Sequence, residues 1–240
     1  MTRTDHRGAL IRLKFWLRRH VSPDLVVKVG IVFNRIARLV PDGWKYALTG
    51  RSRKGSFPYR LVRESDVVVQ VGAPRDALHA GRSRAAHFAH LVGSGALVVV
   101  EADARSCEDF RAFTEARGFA DRCVVVETGA WHEKTELVFL SSRHHPTASV
   151  LVDAKHRPKD RPSYLGFEER RIAVDTIDQI LEELDLPAPR LVSVTTNGAE
   201  LEIIAGMEGT LRSARPYVSL AATGSGYVDA MAERGYEAIS

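Results

Sequence analysis

Apolar β-branched runs alternate with helical stretches through the middle of the chain. Residues 66–72, DVVVQVG, form a nearly continuous apolar run ending in glycine, the pattern of a strand covered on both faces. Helical sequence follows to about residue 91, then a second run, ALVVVE (96–101), a helix over about 105–117, and a third run, RCVVVET (122–128). Strand, helix, strand, helix, strand in that order predicts an α/β, doubly wound, mostly parallel Rossmann-like sheet. TELVFL (135–140) alternates with period two and is expected to pair beside that sheet. Residues 141–170 hold three histidines, three prolines and many charges, and read as a long loop or lid. Residues 171–187 read as a short strand entering a helix capped near Asp175 or Thr176. A strand at 191–195, a helix over about 199–213, a strand at 217–222 and a helix over about 227–234 complete the pattern. No residues then remain for a further antiparallel strand, so the sheet is expected to end early or to borrow an edge from a partner, as in a homodimer.

The first sixty residues follow a different pattern. Within 24–40, Leu25, Val29, Val32, Phe33, Ile36 and Val40 fall on one side of a helix, with Lys28, Asn34, Arg35 and Arg38 away from them. Ser22-Pro23 supplies a cap and a first-turn proline. Residues 8–20 are also basic and apolar, but interleaved, a weaker helical signal, and 41–60 read as an ordered connector carrying Trp44, Tyr46, Phe57 and Tyr59. The chain therefore divides into a basic helical extension (1–60) and a Rossmann-like domain (61–240).

Charge sharpens that division. Residues 1–60 carry 14 Lys and Arg against 3 acids, or +11, leaving 20 against 27, or −7, for residues 61–240. A basic front suggests an anionic partner, a phospholipid surface or phosphorylated carrier before nucleic acid, against the alternative of a merely solvated face. Nucleic acid is set aside because basic and aromatic residues are not interleaved along any strand. No stretch of eighteen apolar residues and no signal-peptide pattern is present. Cys107 and Cys123, sixteen apart with no second pair, argue against a zinc cage or disulfide framework. The expectation is a cytoplasmic protein, peripheral at a membrane, without a metal.

Ligands of such sheets bind beyond the carboxyl ends of the strands, here 70–76, 100–103 and 194–200. Gly72 would let backbone approach a ligand, and Glu101, an acid ending a buried strand about 30 residues on, could accept both hydroxyls of a ribose. Val71-Gly72-Ala73, Glu101, Thr176-Ile177-Asp178, Gly198-Ala199-Glu200 and Gly235-Tyr236 stand in the order of the motifs of the FkbM family of S-adenosylmethionine-dependent methyltransferases. The chain resembles that family over residues 66–236, with GAELEIIAGMEGTL (198–211) the closest stretch. The departures cluster on the ligand side: Gln70 stands where the family has Asp, Asp76 where it has Gly, and Thr195 and Asn197 where it has Asp and Glu. An acid expected near Ala221 or Ala222 is also missing.

The resemblance implies S-adenosylmethionine as cofactor, with Gln70, Gly72, Ala73, Asp76, Glu101, Thr195 and Asn197 around it. It also permits O-methyl transfer to a sugar hydroxyl or carboxyl of a glycan or lipid-linked glycan. His144 and His145, in the lid, are the candidate bases, and Glu200 a further catalytic candidate. Arg75 is left between a cofactor carboxylate and solvent, Asp178 between structure and catalysis, and His132 is a candidate for stacking on adenine. His87 and His90, at i and i+3, lack a third metal ligand. The competing reading is a binding or scaffold module that keeps the fold and has lost catalysis.

Overall fold

In the computed structural model the described residues are 22–37, 39–53, 55–152, 165–221 and 225–239. The basic segment 8–20 and the centre of the expected lid, 153–164, lie outside them. Among the described residues two helices come first, α1 (Pro23–Ala37) and α2 (Asp42–Arg53), so the 41–60 connector is largely helical.

The runs of valine become β1 (Val67–Val71), β2 (Ala96–Glu101) and β3 (Cys123–Glu127). They join β8 (Leu191–Val194) and β9 (Tyr217–Leu220) in a five-stranded sheet ordered β3-β2-β1-β8-β9. Every pairing in it is parallel. The order reverses between β1 and β8, which is the switch point where such sheets open a crevice. Alternate residues of each strand serve opposite faces. Val69, Val98 and Val192 enter a core with Trp131, Ile177 and Ile203, whereas Val68, Leu97 and Leu191 enter another with Phe88, Phe110 and Phe113.

Between the strands lie α3 (Arg75–His79), α4 (Arg84–Ala89) and α5 (Ala104–Ala116). Ser83 and Asp103 cap α4 and α5, each accepting from the backbone N–H three residues on. Helix α6 (Ile177–Leu184) starts at Thr176, whose hydroxyl accepts from Gln179 N, as its sequence leads one to expect. The single helix expected over 199–213 is two, α7 (Glu200–Ala205) and α8 (Glu208–Ser213). At the break, a Cβ on Gly206 would lie 2.0 Å from the Trp131 carbonyl oxygen, so only glycine fits there. Helix α9 (Ser225–Ala232) follows β9.

The expected strand at 135–140 is longer, β5 (Thr135–Ser142), and it belongs to a second sheet. That sheet contains β4 (Gly129–Ala130), β6 (Val150–Val152) and β7 (Phe167–Asp175) in the order β4-β7-β5-β6. Nine of the eighteen described residues in the 141–170 segment read as loop are strand: 141–142, 150–152 and 167–170. The residues between β5 and β6 are held over the tips of the main sheet by bonds from Thr147 to Asp76, after β1, and from Asn197, after β8, to Thr147 and Ser149.

Candidate functional site

The turn after β1 is shaped by one glycine. Gly72 has φ +84°, and a Cβ there would lie 2.5 Å from the carbonyl oxygen of Thr195 at the tip of β8. The requirement for glycine thus comes from the close approach of two strand ends, besides any ligand. Beneath the turn Gln70 is 0% exposed, and its Nε2 donates to Val71 O, Gly72 O and Thr195 Oγ. Thr195 Oγ contacts the same two carbonyls. Gln70 therefore ties β1 to β8 and does not line the cleft, contrary to its assignment as a cofactor contact; an amide holds carbonyl oxygens that a carboxylate would repel.

Glu101 ends β2 8% exposed, with both oxygens engaged by backbone. Ala73 N donates to Oε2 at 2.5 Å and Asp103 N to Oε1 at 2.9 Å. Burial pushes its pKa up to about 7, with the N–H donors of Asp103 and Ala73 holding it from rising further. Asp103, which sequence reasoning passed over, is buried and anchors the second sheet: its Oδ1 accepts from Ser141 Oγ (3.2 Å) and from Arg170 (3.0 Å). Its position three residues before Ser106, the pattern of a helix cap, was the available signal.

Residues 145–149 form a strap across the switch point. Asp76, 2% exposed, accepts from Thr147 N (3.1 Å) and Thr147 Oγ (2.6 Å) through Oδ1, while Oδ2 meets His145 Nδ1 at 2.6 Å. From the other side Asn197 Nδ2 donates to Thr147 O (2.6 Å) and Ser149 O (2.9 Å). Asp76 and Asn197, two expected cofactor contacts, thus hold the strap. Between strap and strand tips lies a narrow cleft of about 70 Å³. Its walls include Glu101, Thr195, Thr196 and Thr147 among apolar Val100, Phe139 and Leu151. The Thr196 hydroxyl is buried and lacks a hydrogen-bond partner among the described residues.

The structure separates the remaining candidates. His145 is half-buried against Asp76 and adjoins Pro146 and Thr147 of the cleft wall, whereas His144 is exposed and lies against Gly166. Glu200 is buried at the start of α7 and interacts with Tyr227 of α9; it is outside the cleft lining, which reaches only Ala199. Arg75 pairs with Asp109 at 3.0 Å. Asp178 caps α8 through Gly209 N, Thr210 N and Thr210 Oγ, a structural role. His132, expected near an adenine, instead pairs with Glu202 at 2.8 Å, while its neighbour Trp131 is in the core. His87 and His90 bond the carbonyls of Ser83 and Ala86 within α4. Among the described residues no cluster of three or more His, Cys, Asp or Glu has the arrangement of a metal site.

No protein-family model and no curated protein matches the chain. Among solved structures it is similar to methyltransferases. One is methyltransferase FkbM from Methylobacillus flagellatus KT, 17% identical, with 70% of this chain aligned to 36% of that one at a TM-score of 0.44. A second is precorrin-6y C5,15-methyltransferase from Geobacter metallireducens GS-15, 16% identical over 73% of this chain and 66% of that one, TM-score 0.42. A third, the O-methyltransferase from Bacillus cereus in complex with SAH, is 11% identical over 85% and 69%, TM-score 0.33. The assignment of the fold rests on the strand order and parallel pairing described above.

Proposed function

We propose that the protein is an S-adenosylmethionine-dependent O-methyltransferase of FkbM-like type, acting on a sugar hydroxyl or carboxyl of a glycan or lipid-linked glycan. The observation that carries the reading is that Glu101 and Thr196, whose buried hydroxyl has no partner among the described residues, line one cleft at the switch point of a parallel sheet. An orphaned buried hydroxyl is costly without a partner, and a nucleoside supplies one. Glu101 keeps lone pairs for ribose hydroxyls beyond those used by Ala73 and Asp103. Val100, Phe139 and Leu151 offer the apolar wall that a purine needs.

S-adenosylmethionine, when bound, supplies a methyl group on a cationic sulfonium, open to in-line attack by an acceptor oxygen. The residues of this chain orient the reactants and take up the proton of a hydroxyl acceptor. Asp76 is ionised at neutral pH: burial alone would raise its pKa, but the hydrogen bonds of His145 and Thr147 outweigh that and hold it below the usual value. Asp76 Oδ2 meets Nδ1 of His145 and so orients the ring beside Pro146 and Thr147 of the cleft wall, which makes His145 the candidate to take up that proton. A carboxyl acceptor, already ionised, needs no base.

A specific observation supports a second reading, a binding module without catalysis: Asp76 and Asn197 are committed to the strap, which narrows the cleft. Titration calorimetry of the protein with S-adenosylmethionine decides between them. No heat at millimolar cofactor overturns the enzyme reading; binding that Glu101→Ala abolishes, in a variant that remains folded, supports the ribose role of Glu101, and methyl transfer to an acceptor then separates the enzyme from a binding module that keeps the pocket.

A further inference from the structure

Helix α1 turns its apolar stripe to solvent. Leu25, Val29, Val32 and Ile36 recur at i, i+4, i+7 and i+11 and are 51%, 59%, 54% and 58% exposed. The following turn adds Leu39, 83% exposed, and the start of α2 adds Trp44 at 72%. The opposite side of α1 is the covered one, with Ala37 buried and Gly30 and Ile31 half-buried, and it packs toward α3. A surface helix ordinarily does the reverse, burying its stripe on the core. Four apolar side chains over twelve residues make a ridge about 16 Å long, continued by the aromatic ring of Trp44.

Charge decides what the ridge meets. It lies in the segment that carries +11, and exposed Lys28 flanks it on α1 itself. A second copy of the chain would bring the same positive charge to the contact, so self-association through this face is opposed. A nucleic acid would satisfy the cations but leave the ridge in water. A phospholipid surface matches both, with acyl chains for the ridge and headgroup phosphates for the Lys and Arg side chains, and tryptophan favours the boundary between them. No helix among the described residues is long and apolar enough to cross a membrane.

We propose that α1, the turn after it and Trp44 lie in the interface of a membrane containing anionic phospholipid, the apolar ridge inserted and the basic side chains on the headgroups. The proposal is independent of methyl transfer and stands or falls without it.

The test is sedimentation of the whole protein with vesicles of phosphatidylcholine alone or with about one third phosphatidylglycerol, at low and high salt. The expected result is recovery with the anionic vesicles, falling as salt rises. Val32→Glu with Ile36→Glu is expected to lower the partition coefficient by about tenfold or more. Both positions are exposed, so circular dichroism should report an unchanged fold, and Trp44→Ala, which leaves α1 untouched, should weaken binding in the same direction. Equal recovery of parent and variants, equal recovery on both lipids, or no recovery on either overturns the proposal. So does a concentration-dependent dimer, dissolved by the same substitutions, in a protein that ignores vesicles.

Discussion

A carboxyl group buried at the end of a strand gains two backbone donors and loses water, and for Glu101 the loss of water dominates. Its folded pKa, about 7, lies above the ordinary glutamate value of 4.5, so its contribution to stability is fully present below about pH 4.5 and is lost as pH rises through 7. Against Glu101→Gln, which does not titrate, the parent should lose about 3 kcal/mol of relative stability across that range. Urea denaturation of both proteins at pH 4.5 and pH 8 checks this, a constant difference counting against it. Ribose hydroxyls donating to Glu101 would favour its ionised form, so cofactor affinity should strengthen as pH rises through 7, readable by calorimetry. Asp76 has the opposite sign. With its folded pKa below 3.8, its contribution is present above that value and is lost as pH falls through the lower one. Asp76→Ala strands the donors of Thr147 and His145. It should cost about 2 to 4 kcal/mol and speed hydrogen exchange at the Thr147 amide.

The three valine-rich strands were legible because each is buried on both faces, so apolar character alone marks them without knowledge of their partners. The helix start at Thr176 was legible from local capping chemistry. The second sheet was not legible, because β5 and β7 pair across about thirty intervening positions and expose one face, diluting the apolar signal. At the joint between β1 and β8, Gly72→Ala forces a Cβ into the Thr195 carbonyl at φ +84°. The expected cost is about 2 kcal/mol or more, measured as a fall in the denaturation midpoint with unchanged slope.

Across the whole molecule, α2 fastens the basic segment to the domain. Tyr46 is buried, donates to Leu78 O at 2.8 Å and packs against His87, His90 and Phe113. Tyr46→Ala should cost about 3 kcal/mol and open α1 and α2 to limited proteolysis before the sheet is cut. The division of charge, +11 before residue 61 and −7 after, is a property of composition and needed no coordinates. The same holds for the parallel sheet, its direction of winding and the placing of Gly72 and Glu101 at strand tips, since burial periodicity and chain order dictate them. Three things depended on tertiary structure: Gln70 and Asp76 buried, and Asn197 at the exposed cleft rim, to hold strand ends and strap; the hydroxyl of Thr196 left without a partner among the described residues; and the α1 ridge facing out. Periodicity reports that a residue lies on a face or at a tip. Which groups, tens of residues away in sequence, come within 3 Å of it, or whether any do, is decided only when the packed elements set the register.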